Sequence, residues 1–302
     1  MADVTDAAYR RIIAKYGKPD LMYTEFVSAD GLAMAPEEGR KKLLKDLEFF
    51  ESERPIIAQF FTSNPEHMKK AAALAKELGF DGVDINMGCP DQSVVRQGAG
   101  ACLIKTPALA RELIAAAKEG AGGLPVSVKT RLGFNKDELE EWLPHLLKAE
   151  PAHITIHART KKEMSKVPAR WERVKRAVEI RNELGSKTLI FGNGDLKDLA
   201  DARKRVSEAG ADGAMLGRAI FGNPWLFSEH APTLEEKLRV MVEHTRLFEE
   251  LLGEYKSFNI MKKHYKAYVN GFIGAAELRG KLMEAPNAES VAKIIDHYLG
   301  RA

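Results

Sequence analysis

The chain has 302 residues, 45% of them hydrophobic and 29% charged, with a formal net charge of +3. That is enough apolar material for a large core in one or two domains, and too little net charge to imply a nucleic-acid partner by itself. Two cysteines make no disulfide framework, no apolar run approaches the roughly 18 residues a membrane span needs, and no signal peptide is legible, so a soluble cytoplasmic protein is expected.

Met1 opens into polar loop residues, and Thr5 is placed to cap a helix over 6–15 that Gly17 closes. Strands and helices then alternate. A strand over 21–27 is followed by a polar loop and a short helix, and 55–61 reads as the next strand. Asn64-Pro65 starts a helix with Met68, Ala71, Leu74, Ala75 and Leu78 on one face, ended by Gly79. A strand over 83–86 precedes a helix opened by Thr106-Pro107. Strands over 125–131, 153–157, 188–191 and 213–216 follow, separated by helices near 136–148, 171–184 and up to about 208.

Regular β-α alternation implies parallel strands with right-handed crossovers. Seven strands are visible where a closed (β/α)8 barrel needs eight, so the missing one is expected to precede Met1. A doubly wound open sheet is the alternative; polar, Gly-rich or basic tips after nearly every strand favour the TIM-type α/β barrel. Beyond Trp225 no strand pattern recurs. Amphipathic spacings such as Leu238, Met241, Val242, Leu247, Phe248 and Leu251 predict an all-α C-terminal domain. The expected division is a barrel over 1–230 and a helical domain over 231–302.

The densest chemistry lies in Gly82-Val-Asp-Ile-Asn-Met-Gly-Cys-Pro90. Val83 and Ile85 alternate with Asp84 and Asn86, and Cys89 stands at the strand's C-terminal tip, where a barrel carries its catalytic groups. Gly98-Ala-Gly100 follows, small enough for backbone to approach a ligand. Each residue has an ordinary reading too, since a lone Cys is commonly a small buried hydrophobe and Asn86 could simply cap a turn. Lys129 and Arg131 share a face of their strand, His157 ends the next, Arg159 lies just beyond, and Gln59 is a polar residue inside an apolar strand. Singly, such residues are usually satisfied structural groups. Gly192-Asn-Gly-Asp195 and Gly217-Arg218 end the last two strands, where this fold often binds a phosphate through backbone N–H groups, and Arg218 would clamp it. No metal-ligand spacing, Ser-His-Asp signature or nucleotide loop is found.

Two basic regions suit a large partner. Lys161, Lys162 and Lys166 follow His157. Between Tyr255 and Ala276, Lys256, Lys262, Lys263 and Lys266 interleave with Tyr255, Phe258, Tyr265 and Tyr268, without an acidic residue. RNA backbones and unstacked bases ask for this mixture, although a solvated helix face over an aromatic core stripe would look the same.

With these residues in view, the chain resembles the tRNA-dihydrouridine synthases, flavin enzymes that reduce a uridine in tRNA. Met1-Ala-Asp-Val-Thr-Asp6 looks like the end of that family's Ala-Pro-Met-x-x-Val-Thr-Asp opening, and 82–90 like its Asn-x-Gly-Cys-Pro signature, continued by Gly98-Ala-Gly-Ala. Val128-Lys-Thr-Arg131, Ile156-His-Ala-Arg-Thr160, Asn193-Gly-Asp195, Met215-Leu-Gly-Arg218 and Gly222-Asn-Pro-Trp-Leu-Phe227 fall in the family's order and spacing. The resemblance implies an FMN barrel with a helical tRNA-binding domain. It implies that Met1, Gln59, Lys129, His157, Asn193, Gly194, Asp195, Gly217 and Arg218 hold FMN, that NADPH or NADH is the reductant, and that Cys89 is the general acid. Asn86, Arg131, Arg159, Lys161, Lys162, Lys262, Lys263 and Lys266 are the residues expected to meet substrate or RNA.

One departure is plain: nothing precedes the Met of the opening motif. Either the native start lies upstream, which is the expectation, or the barrel lacks its first strand, FMN loses contacts near Met1, and two strand edges lie open. Competing readings are an FMN-barrel oxidoreductase of the dihydroorotate or dihydropyrimidine dehydrogenase kind, and a non-catalytic RNA-binding protein on a degraded barrel. No metal or membrane partner is expected, and a monomer is.

Overall fold

A computed structural model describes residues 3–300, so the expectation for Met1 lies outside the described residues. Seven strands form one sheet: β1 (Met22–Ser28), β2 (Ile56–Phe61), β3 (Gly82–Asn86), β4 (Val126–Arg131), β5 (His153–His157), β6 (Leu189–Asn193) and β7 (Gly213–Met215). Their spatial order is β1 through β7 without a reversal, and each neighbouring pair from β2–β3 to β6–β7 is parallel. A doubly wound sheet would break that order at a switch point. Consecutive parallel order is the signature of a TIM-type barrel, here with seven strands among the described residues.

Among the described residues thirteen α-helices accompany the sheet: α1 (Ala7–Tyr16), α2 (Ala29–Met34), α3 (Glu37–Asp46), α4 (Pro65–Glu77), α5 (Gln92–Arg96), α6 (Pro107–Ala121), α7 (Leu139–Leu147), α8 (Trp171–Glu183), α9 (Leu199–Ala209), α10 (Leu234–Leu252), α11 (Met261–Tyr268), α12 (Ala275–Glu284) and α13 (Ala288–Tyr298). None is long and apolar enough to cross a membrane.

Local chemistry places most helix ends as expected. Asn64 caps α4 by accepting from the N–H groups of Glu66 and His67, with Pro65 in the first turn. Three expectations need correction. The cap of α1 is Asp6, which accepts from Tyr9 N at 2.9 Å, and not Thr5. The loop after β1 holds two helices, α2 and α3, rather than one. Helix α7 begins at Leu139 instead of near 136, because Glu138 takes part in a turn first: its N–H reaches Leu132 O at 2.9 Å and its carboxylate accepts from Phe134 N at 2.8 Å.

Two compact units result. One comprises Phe26–Leu44 and Pro55–Arg218, and therefore holds β2 to β7 with their helices. Its sheet buries Val83, Ile85, Val128, Ile154, Ile156 and Ile190 on one face, the alternation that a half-apolar strand requires. The other comprises Met1–Glu25, Lys45–Arg54 and Ala219–Ala302, so it gathers the first helix with α10 to α13. The sequence-based division at 230 groups the amino-terminal segment with the barrel instead. Within this second unit Arg10 on α1 is 1% exposed and Glu53 fully buried. Arg10 Nε donates to Glu53 Oε2 at 2.6 Å, and the remaining guanidinium donors reach the carbonyls of Thr5 and Glu48.

Candidate active site

Register decides what faces what. Gln59 pairs with Asp84 and Asp84 with Ser127; Asn86 pairs with Lys129 and Lys129 with Thr155; Arg131 pairs with His157 and His157 with Asn193. Successive tiers two residues apart share a face, so these residues form a polar stack opposite the apolar face. Burying them is costly unless they find partners, and most of them do. Gln59 Nε2 donates to Asp84 Oδ2 at 2.7 Å, Ser127 Oγ donates to Asp84 Oδ1 at 2.6 Å, and Asn86 Nδ2 donates to Gln59 Oε1 at 3.1 Å. Lys129 Nζ donates to Asn193 Oδ1 at 3.4 Å, while Asn193 Nδ2 donates to Met215 O at 2.6 Å. Burial pulls the Lys129 ammonium down to about 8, with Arg131 adding to the effect and Asp84 opposing it.

The loop carrying Cys89 hangs from Asn86, whose Oδ1 accepts from Gly88 N at 3.1 Å and Cys89 N at 2.8 Å. Behind it, Ala101 N donates to Cys89 O at 3.0 Å, and a Cβ on Gly100 would lie 2.8 Å from that same oxygen. The bareness expected of 98–100 is therefore used, at Gly100, for close approach to the cysteine's own backbone. Cys89 is half-buried and free. Burial raises its thiol above the ordinary value; the Asp91 backbone N–H opposes this, the Asp91 carboxylate adds to it, and Arg131 and Lys129 oppose it. The sulfur is thus a thiol at neutral pH.

At the tips of β5 and β6 an ionic array forms. Arg159, 2% exposed, donates to Asp195 Oδ2, to Val167 O at 2.6 Å and to His157 Nε2 at 3.0 Å. A guanidinium has no acceptor, so His157 Nε2 must accept and its proton resides on Nδ1. Burial and the cations Lys129, Arg131 and Arg159 keep that ring neutral, far below its ordinary value. Asp195 also accepts from Arg218 Nη2 at 2.8 Å and from Ala169 N at 2.8 Å, and the Arg159 hydrogen bond is the main reason its carboxyl falls to about 2. Arg218 itself is 64% exposed, with its guanidinium open to a ligand.

Gly194 sits between these groups at φ +123°, and a Cβ there would lie 2.8 Å from Ala169 Cβ and 3.1 Å from His157 Cδ2. Gly194→Ala is expected to destabilise the protein by about 1–3 kcal/mol, since it combines backbone strain with a collision. A chemical denaturation midpoint within error of wild type would refute this.

These residues stand in one unit of a chain whose residues 1–300 match the model of the dihydrouridine synthase family. The chain belongs to that family. It is 40% identical over 304 residues to a Bacillus subtilis (strain 168) protein named probable tRNA-dihydrouridine synthase 2, spanning 99% of this chain and 92% of that one. It is 38% identical to a probable tRNA-dihydrouridine synthase of Staphylococcus aureus (strain MRSA252), over 99% and 91% of the two chains. The solved structure of an old yellow enzyme homologue from Zymomonas mobilis superposes with a TM-score of 0.51 at 15% identity, over 76% of this chain and 85% of that one, which is a likeness of fold.

In this dihydrouridine synthase the site residues anticipated from sequence divide by surroundings. Gln59, Asn86, Lys129, His157 and Asn193 share the polar stack, and Cys89, Gly194, Asp195, Gly217 and Arg218 lie on the loops at its end. Arg131 is buried, donating to Gly88 O at 2.7 Å, Thr160 O at 3.1 Å and Met164 O at 3.2 Å. It and Arg159 are thus occupied by backbone and by Asp195. Lys162 is exposed, and Lys161 lies over the Phe134 ring at 4.9 Å from its centroid. Lys262, Lys263 and Lys266 belong to the other unit, on α11. There Tyr265 is fully buried and Tyr268 is 2% exposed, so these aromatics form a core stripe rather than a stacking platform. Lys256 is held at 2.8 Å by Glu25 and at 2.7 Å by Asp46, acids far away in sequence. Asp84, Ser127 and Thr155 were not anticipated as site residues; their parity with Gln59, Lys129 and His157 was the available signal. Among the described residues no cluster of three or more His, Cys, Asp or Glu is placed to hold a metal.

Proposed function

We propose that this protein is a tRNA-dihydrouridine synthase that uses FMN to reduce the C5=C6 bond of a uridine in tRNA. The supporting observation is the polar stack with Cys89 at its edge, on a chain matched to the family from end to end. The donor set suits the flavin. Lys129 is a half-buried ammonium held by one long hydrogen bond, and Thr155 Oγ1 is buried without a partner among the described residues. Lys129, Arg131, Arg159 and Arg218 outnumber Asp84 and Asp195, an excess that welcomes an anion.

Reduced FMN, itself recharged by NADPH or NADH, supplies the hydride for uracil C6 when bound. The protein's own groups do the rest. Arg218, Gly217 and the backbone of Asn193-Gly194-Asp195 hold the phosphate, while Asp195, braced by Arg159, aligns Arg218. The Lys129 cation offsets negative charge on the ring, and Gln59, His157 and Asn193 supply oriented polar groups around it. Cys89 holds the proton for C5; its raised thiol value keeps that proton in place until it is needed. Lys161, Lys162, Lys262, Lys263 and Lys266 contact tRNA phosphates, and the uridine is extruded from its stack to reach the site. The setting is the cytoplasm.

Incubating the FMN-loaded protein with NADPH and unmodified tRNA should produce dihydrouridine in the RNA. Turnover of free uracil or orotate, with none of tRNA, would instead assign a small-pyrimidine reductase. A pH dependence follows from Lys129. Its cation is present below about 8 and lost above, so FMN affinity of the flavin-free protein should weaken as pH rises from 7 to 9. Quenching of FMN fluorescence reads this directly; equal affinity across the range would remove Lys129 from the binding set.

A further inference from the structure

Asp84 is fully buried one tier beneath Lys129, and burial raises its carboxyl to about 6, so it is ionised at neutral pH. An ionised carboxylate only accepts hydrogen bonds. Gln59 must therefore turn its NH2 toward Asp84 Oδ2, which leaves Gln59 Oε1 facing Asn86. Asn86 must in turn present its NH2 to that oxygen, which leaves Asn86 Oδ1 facing the N–H groups of Gly88 and Cys89. Those N–H groups can only donate. The two amides thus link an obligatory acceptor to two obligatory donors, and reversing either one leaves like groups facing each other at both its ends.

We propose that Asp84 is a positioning residue for Cys89, acting through Gln59 and Asn86, whose amide orientations it sets. It touches none of the reacting atoms. Ser127 Oγ occupies its other oxygen at 2.6 Å, so the carboxylate cannot rotate away without breaking a second bond. The role rests on the reading of Cys89 as the proton donor, but the relay itself is a property of the protein alone.

The test uses three flavin-free proteins in a Cys102→Ala background, so that iodoacetamide reports only Cys89: the parent, Asp84→Asn, and Asp84→Asn with Gln59→Glu. The single change puts an NH2 where the Gln59 NH2 needs an acceptor. The double change exchanges the two roles: the amide at position 84 donates to the carboxylate at 59, which still accepts from Asn86 Nδ2, while Ser127 keeps its acceptor. Alkylation of Cys89 should speed up several-fold in the single variant and return to the parental rate in the double. With FMN and tRNA, single-turnover dihydrouridine formation should fall by up to about 10²-fold in the single variant.

Unchanged alkylation in Asp84→Asn would overturn the relay. So would a double variant as altered as the single one, whether through misfolding or through a loosened thiol. If Asp84→Asn does not fold while the double folds with parental alkylation, the complementary orientation is upheld. The alkylation measurement does not involve dihydrouridine formation, so an error in the proposed function leaves it legible.

Discussion

Cys89→Ala should lower single-turnover dihydrouridine formation by about 10²- to 10⁴-fold, the range associated with loss of a placed general acid. The protein should remain yellow, because the groups proposed to hold FMN lie on other strands and loops. Burial is what makes the thiol suitable. It raises the sulfur's proton affinity, and the opposing pull of Arg131 and Lys129 does not reverse that. Cys89→Ser retains a hydrogen but holds it far more tightly, so it should fall between the two. The decisive measurement mixes photoreduced enzyme with unmodified tRNA and counts dihydrouridine formed. An alanine variant as fast as wild type would mean that the C5 proton comes from elsewhere.

The second large effect concerns stability and lies in the other unit. Glu53→Ala should cost about 3–5 kcal/mol, because it strands the Arg10 charge in a site where Arg10 is 1% exposed and also removes the acceptor for Phe50 N at 3.0 Å. Replacing both members, as in Arg10→Met with Glu53→Leu, should recover most of that loss, since no ion then needs a partner. Urea denaturation followed by circular dichroism distinguishes these outcomes. A loss below about 1 kcal/mol in the single variant would show that water reaches Arg10.

Much of this was legible before any coordinates, and the reason differs by level. Strand positions were readable because apolar and polar residues alternate at period two in runs such as 83–86, 126–131 and 153–157, and helical spacings separate the runs; every predicted strand lies within a residue or two of its observed bounds. The cap at Asn64 was readable because Asn-Pro there is followed by apolar residues at helical spacing, Met68, Ala71, Leu74 and Ala75. What escaped depends on parts of the chain far apart in sequence. Lys256 opens a basic stretch, 255–276, that carries no acid of its own; Glu25 and Asp46 arrive by folding. Nothing in the residues around Arg10 points to its partner Glu53, 43 positions away. Arg131 and Arg159 were expected to meet substrate or RNA; within the protein Arg131 bonds three backbone carbonyls and Arg159 bonds Asp195, His157 and the carbonyl of Val167, and a carbonyl is something a sequence displays at every position and therefore at none. The division into compact units escaped for a related reason: a short amino-terminal helix shows nothing locally of the distant helices it groups with.

Those carbonyl partners have a consequence for how such a site can diversify. Arg131 ties Gly88 to residues 160 and 164, and Arg159 ties its own loop to residue 167. Every amino acid presents the same carbonyl, so this fastening makes no demand on Lys161, Lys162 or Lys166; the side chains that do hold the loop are those of Thr160 and Glu163, which bond each other's N–H groups. If Lys161, Lys162 and Lys166 meet RNA as proposed, exchanging them would leave the Arg131 anchor on the Cys89 loop in place. Recognition could then drift over a reaction centre that stays still.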